Sequence, residues 1–272
     1  MTANTVVVKL GGEVIASDAL THLAFDIAKL ASTVRIVLVH GGGPQVTKLQ
    51  ERLGIPTRQI GGRRITDADT LEVIKMAIAG KLNVDLCAAL TRSGVQAVGL
   101  HGASAQVIAA TKRPARVYAG AGPHPIELGE VGDVANVNTR LLTQLTDAGY
   151  VPVLASIGCG NDGRVFNINA DTVATRVALA LQAHALVLVS DVSGVLLDIQ
   201  DPSSRIPRIT YAEAQRLIQN GVIQKGMIAK LEEAFAVLKL GVPRIHIVGQ
   251  LQAGDLERSL RTPGEVGTLL EL

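Results

Sequence analysis

Short apolar runs alternate with amphipathic stretches along nearly the whole chain, and few folds accommodate that rhythm. The runs Thr5–Leu10, Val34–Val39, Val95–Leu100, Val151–Ile157, Ala185–Ser190 and Arg244–Val248 read as strands. The stretches Ala19–Ala31, Pro44–Leu53, Ala68–Arg92, Thr139–Ala148, Thr172–Leu181, Tyr211–Gln219, Met227–Leu240 and Gly254–Leu260 read as helices. Apolar strands alternating with helices form βαβ units, whose parallel strands are covered on both faces. The expected class is α/β with a mostly parallel central sheet. Gly102–Asp133 breaks the rhythm with Gly, Pro, Ala and polar residues, so short β-hairpins or a lid are expected there. No repeat, low-complexity tract or Gly/Ser linker divides the chain. At 272 residues it is expected to build one continuous sheet with two lobes, 1–170 and 171–272.

Composition removes several function classes. Aromatic residues make up 2% of the chain and Trp is absent, which argues against sites that stack nucleic-acid bases. A net charge of +2 gives no strong pull toward nucleic acid or a membrane surface. The cluster Lys112-Arg113-Pro114-Ala115-Arg116 reads as a solvated loop. Cys87 and Cys159 are too few and too isolated for a disulfide framework or a zinc site. No apolar stretch reaches membrane-spanning length, and no secretory leader is visible. A cytoplasmic protein is expected.

Lys9 sits at the end of Val6-Val7-Val8 and is followed at once by Gly11-Gly12 after Leu10. An unpaired ammonium buried there would cost several kcal/mol, roughly, or lose its proton. Either the run ends at a surface and Lys9 snorkels into water, or Lys9 meets an anion. Ligands in open parallel sheets bind at the carboxyl ends of the strands. Two glycine turns sit at such ends: Gly11-Gly12, and His40-Gly41-Gly42-Gly43-Pro44 before a helix. Consecutive glycines expose backbone N–H groups, and the helix adds the positive end of its dipole. Gly158-Cys159-Gly160-Asn161-Asp162-Gly163 formally matches G-x-G-x-x-G. Arg164–Ile168 after it reads as a strand and not a helix, so the dinucleotide reading fails and Asn161-Asp162-Gly163 is expected to turn a hairpin. Asp171 is a candidate helix N-cap as well as a functional acid. Lys230 lies at the margin of an apolar helix face, where a snorkelling role is the alternative to a functional one.

Taken together and in order, these motifs resemble the amino acid kinase family. The segments are Lys9-Leu10-Gly11-Gly12, His40–Pro44, Gly62–Thr66, Asn167–Asp171, Ser190–Gly194 and Gly226–Lys230, spanning Val6 to about Leu270. Within the family the likeness is to the branch acting on N-acetyl-L-glutamate. The resemblance implies an open αβα sandwich and a homodimer built through the N-terminal lobe. It implies transfer of the ATP γ-phosphoryl group, with Mg²⁺, to the side-chain carboxylate of N-acetyl-L-glutamate in the second step of arginine biosynthesis. By the same resemblance Lys9 and Lys230 are expected to stabilise the transferring group from opposite sides, with Asp171 holding their two ammonium groups in place. Gly42 and Gly43 would offer N–H groups, and Arg64 and Asn167 would bind the substrate. The nucleotide would lie against Gly11, Gly12, Asp191, Val192, Ser193, Gly194, Val195 and Leu196, with Val222, Ile223 and Gln224. No protein metal ligand is expected.

Two segments depart from the family pattern. Lys225 stands where many relatives have a second Gly, and His101–Ala105 lacks a common Lys-Asp-Gly run. Arginine-inhibited relatives carry an extra N-terminal helix not seen before Thr5, so a dimer insensitive to arginine is expected. A kinase for N-succinylglutamate or a carrier-linked 2-aminoadipate, and an inactive nucleotide-binding module, are the alternatives.

Overall fold

A computed structural model describes residues 4–118, 122–223 and 226–272. The strands are β1 (Thr5–Leu10), β2 (Arg35–His40), β3 (Gln59–Ile60), β4 (Arg63–Arg64), β5 (Ala97–Leu100), β6 (Ile108–Lys112), β7 (Gly132–Val137), β8 (Val151–Ala155), β9 (Ile157–Cys159), β10 (Val165–Asn167), β11 (Ala185–Ser190), β12 (Arg208–Thr210), β13 (Ile245–Gly249) and β14 (Thr268–Glu271). The α-helices are α1 (Gly12–Ile15), α2 (Ala19–Leu30), α3 (Gly43–Arg52), α4 (Ala68–Ile74), α5 (Asn83–Arg92), α6 (Thr139–Asp147), α7 (Ala170–Ala180), α8 (Tyr211–Gln219), α9 (Gly226–Lys239) and α10 (Asp255–Arg261).

An eight-stranded sheet of order β12-β14-β13-β11-β1-β2-β8-β5 forms the centre. From β13 to β5 every pairing is parallel, while β14 runs antiparallel to β13. Val6, Val8 and Leu10 pack on one face with Leu23 and Ile27 of α2, Leu86 of α5 and Leu256 of α10. Val7 packs on the other face with Val173 and Val177 of α7 and Leu231 and Phe235 of α9. Successive strand residues point to opposite faces, so Lys9 shares the α7 and α9 face with Val7. A second sheet of order β10-β9-β6-β7 takes in the irregular 102–133 region, where β6 and β7 pair antiparallel. β9 and β10 also pair antiparallel, as the hairpin reading of Asn161–Gly163 required. Among the described residues, no helix is long and apolar enough to cross a membrane.

Three expectations need correction. The Val151–Ile157 run is two strands: β8 belongs to the central sheet and β9 to the second one. Ser156 makes the step, its N–H donating to the His40 carbonyl at 3.2 Å. Ser156 is the one polar residue in an otherwise apolar run, and a single buried serine carries no mark of a change of sheet. The stretch 68–92 is helical throughout, but its hydrogen bonding widens to a π-helix over Lys75–Leu82. Asp171 is not the cap of its helix. Asn169 caps α7, its Oδ1 accepting from the Asp171 N–H at 2.7 Å. Both residue types cap well, so composition could not separate them.

Candidate active site

β1 lies between β2 and β11, so the connections on its two sides run to opposite halves of the sheet. Such a switch point opens a crevice at the carboxyl ends of the strands. A cleft of about 600 Å³ lies there, lined by Lys9, both glycine turns, Arg64, Asn167 and Asp171.

Lys9 emerges from β1 on the face covered by α7 and meets the acid on that helix. Its Nζ is 3.0 Å from Asp171 Oδ1. Because Asn169 caps the helix, the Asp171 carboxylate is left to pair with the lysine. Lys230 comes from α9 and lines a smaller cavity with Asp171, Leu186 and Leu188. Its Nζ donates to Ser190 Oγ at 2.7 Å, and Ser190 Oγ donates to Asp191 Oδ1 at 2.8 Å. Burial pushes the Lys230 ammonium below its usual pKa, and the charge of Lys9 adds to that; Asp171 and Asp191 oppose it. Two ammonium groups and a carboxylate thus share one neighbourhood. The Ser190 hydrogen bond holds the Asp191 carboxyl below its ordinary value.

The two glycine turns interlock. A Cβ on Gly12 would lie 2.6 Å from Gln45 Oε1 and 3.1 Å from Gly42 Cα. Gln45 Nε2 donates to the Gly12 carbonyl at 2.7 Å. The N–H groups of Gly11 and Gly41 are bonded to Val189 and Leu10 carbonyls. Those of Gly42 and Gly43 stand at the start of α3, where a helix leaves its first donors without intrahelical partners.

Arg64 is carried by the β3–β4 hairpin, whose turn residues Gly61 and Gly62 both have positive φ (53° and 74°). Its guanidinium reaches back to the neighbourhood of α3. Nη1 donates to Gln50 Oε1, and Nη2 to Thr47 Oγ1 at 2.8 Å and to the Gly43 carbonyl at 3.1 Å. Burial lowers its pKa, yet an arginine stays cationic. Asn167 Nδ2 donates to Thr66 Oγ1 at 3.1 Å.

Sequence reasoning missed other cleft residues. Arg113 and Arg116 line the cleft, both paired with Asp133, at 2.8 and 2.6 Å. They belong to the stretch expected to be a solvated loop. Arg63 stacks over the Tyr118 ring at 5.2 Å, and both face the cleft. Glu233, one turn after Lys230, lines it too. Burial and Asp171 raise its pKa against the pull of Arg63 and Lys9. Nothing local in the sequence marks these side chains, because only the fold brings them together.

Asp191–Leu196, Val222 and Ile223 do not line this cleft. Val195 is fully buried, its N–H accepted by Thr268 Oγ1 at 2.8 Å and its carbonyl taken by the Ile206 N–H. It therefore shapes the loop from within. Ile223 is buried and Val222 exposed. Gln224 and Lys225 fall outside the described residues. Among the described residues no group of three or more His, Cys, Asp or Glu could hold a metal ion.

Comparison with known proteins decides the family. Residues 4–249 match the profile of the amino acid kinase family. The chain belongs to the amino acid kinase family. It is 58% identical over 265 residues to the acetylglutamate kinase of Sorangium cellulosum, covering 97% of this chain and 93% of that protein. Among solved structures, smu.665 from Streptococcus mutans superposes with a TM-score of 0.75 at 30% identity, covering 98% of each chain. N-acetylglutamate synthase from Neisseria gonorrhoeae, complexed with coenzyme A and N-acetyl-glutamate, gives 0.83 at 26% identity, covering all of this chain and 60% of that one. The three-layer architecture expected of an amino acid kinase is the one observed.

Proposed function

We propose that this chain transfers the ATP γ-phosphoryl group to the side-chain carboxylate of N-acetyl-L-glutamate. The products are N-acetyl-L-glutamyl 5-phosphate and ADP, in the second step of arginine biosynthesis. The observation that carries the reading is the near-full-length identity to a relative named acetylglutamate kinase. The cleft chemistry supports it. A side-chain carboxylate has a reference pKa of about 4.3 and is ionised at neutral pH, so attack needs no general base. His40, the histidine nearest the glycine turn, is fully buried and hydrogen-bonded through both ring nitrogens. Phosphoryl transfer depends on positioning and on neutralising charge spread over the phosphoryl oxygens. Lys9 and Lys230 supply two cations, and Asp171 orients them. Gly42 and Gly43 supply N–H donors, and Gly11 and Gly12 border the phosphate chain.

Arg64 and Asn167 bind the α-carboxylate and the acetamido end; a guanidinium fork suits both oxygens of a carboxylate. The nucleotide lies against Asp191–Leu196 and Val222–Gln224. The divalent metal is Mg²⁺, which arrives on the ATP phosphates and keeps several of its waters. The lobe 1–170 binds substrate and builds a homodimer, and 171–272 binds nucleotide. The enzyme acts in the cytoplasm.

Trapping the acyl phosphate with hydroxylamine tests this. N-acetylglutamate should give ATP-dependent hydroxamate, with N-succinylglutamate, glutamate and aspartate well below it. No hydroxamate from any of them would end the kinase reading, and a preference for N-succinylglutamate would change the substrate.

A further inference from the structure

His40 is the last residue of β2 and has no exposed surface. Both of its ring nitrogens are engaged, and phosphoryl transfer leaves this buried ring without a part. Its Nε2 lies 3.0 Å from Asn83 Nδ2, and the same Nδ2 donates to the Val153 carbonyl at 3.0 Å. A carbonyl only accepts, so the atom facing Val153 is the amide nitrogen. Its second hydrogen then goes to Nε2, and the proton of the neutral ring sits on Nδ1. Nδ1 lies 3.0 Å from the Gly41 carbonyl, which also only accepts. Burial pushes the His40 pKa down to about 4, so the ring stays neutral across the working range. The network is built into the fold. Asn83 begins α5 where the π-helical turns end. A Cβ on Gly99 would lie 2.1 Å from Asn83 Oδ1, so that strand position leaves room for the amide.

The carbonyl of Gly41 and the N–H of Gly42 belong to one peptide unit. No cis peptide occurs among the described residues, and in a trans unit these two groups point in opposite directions. Fixing the carbonyl toward His40 turns the Gly42 N–H the other way, and Gly42 lines the cleft. We propose that His40 is a positioning residue for phosphoryl transfer: its Nδ1–H anchors the Gly41 carbonyl and thereby aims the Gly42 N–H at the migrating group. This rests on the reading that Gly42 donates to that group. A donor aimed in advance stabilises developing charge without reorganising during the reaction.

Two substitutions separate the two ring nitrogens. Asparagine matches the Nδ1 position, so His40→Asn keeps a donor for Gly41 and leaves Asn83 short of an acceptor. Glutamine matches the Nε2 position, so His40→Gln keeps an acceptor for Asn83 and removes the donor to Gly41. The expected result is a kcat about tenfold or more lower in His40→Gln, with both KM values within about threefold, while His40→Asn stays within about threefold of wild type in kcat. Equal kcat in the two variants, or a loss confined to KM, overturns the proposal, since a merely structural histidine would treat both alike. Lys9→Ala serves as the reference. If it is slow while His40→Gln is not, the kinase site stands and the role of His40 falls. If Lys9→Ala keeps full kcat, the site reading itself falls. Should His40→Gln not fold, long-range ¹H–¹⁵N NMR of the wild type decides: a proton on Nδ1 is expected, and one on Nε2 overturns the inference.

Discussion

The Lys9 ammonium stands 3.0 Å from the Asp171 carboxylate at the carboxyl end of β1. The pairing answers the difficulty of a lysine ending a valine strand. Its partner comes from the helix covering that face, and the side chain keeps only 16% of its surface exposed. Asp171 also acts on Lys230, so one carboxylate faces two cations that repel each other.

Asp171→Asn keeps the shape and removes the charge. Burial and Lys9 already lower the pKa of Lys230, and Asp171 opposes them. Without that opposition Lys230 should lose its proton at lower pH. If transfer needs the charged lysine, the basic limb of the kcat–pH profile moves to lower pH in the variant. Profiles of the two proteins over pH 6–10 check this, and a limb that stays put or rises contradicts it.

Lys9→Ala and Lys230→Ala should each lower kcat about 100-fold while the KM for ATP changes less than about threefold. Groups that act on charge developing in transfer affect kcat first. Steady-state kinetics on both substrates make the comparison. A large rise in KM at constant kcat would reassign the lysines to ground-state binding.

The sheet was legible because its strands are continuous apolar runs. β1, β11 and α8 begin and end where patterning puts them. β12 and β14 were not seen, since three or four residues near the sheet edge carry too little pattern. The π-helical turns over Lys75–Leu82 were invisible because apolar spacing does not report which carbonyl each N–H chooses. In the site, Lys9, Gly42 and Gly43 could be singled out locally, as a charge or a glycine cluster in an unusual setting. Ser190 as the anchor of Lys230, Glu233 one turn further, and Arg113 with Arg116 could not. Their meaning arises from tertiary convergence alone.

Arg64→Lys should raise the KM for N-acetylglutamate about tenfold and leave that for ATP nearly unchanged. The guanidinium fork reaches Gln50, Thr47 and Gly43 at once, which fixes its plane beside the α3 N-terminus. A lysine carries the charge but has no fork to hold that geometry. Equal affinity for N-acetylglutamate in the variant would remove Arg64 from substrate binding.

Gly249→Ala tests the packing behind Lys230. A Cβ there would lie 2.2 Å from the Val192 carbonyl oxygen and 2.4 Å from that of Ser190. Both are backbone atoms, so the loop after β11 must move, and overpacking of this kind costs about 1–3 kcal/mol. The melting temperature should fall by about 5 °C. The displaced Ser190 should also loosen its hold on Lys230, so kcat falls with it. Gly80→Ala provides the contrast, because a Cβ there meets only the Lys75 carbonyl at an ordinary 3.7 Å. Calorimetry of both variants should show Gly80→Ala melting at or above wild type and Gly249→Ala clearly below it. Equal melting temperatures would mean that the β11 loop yields without cost.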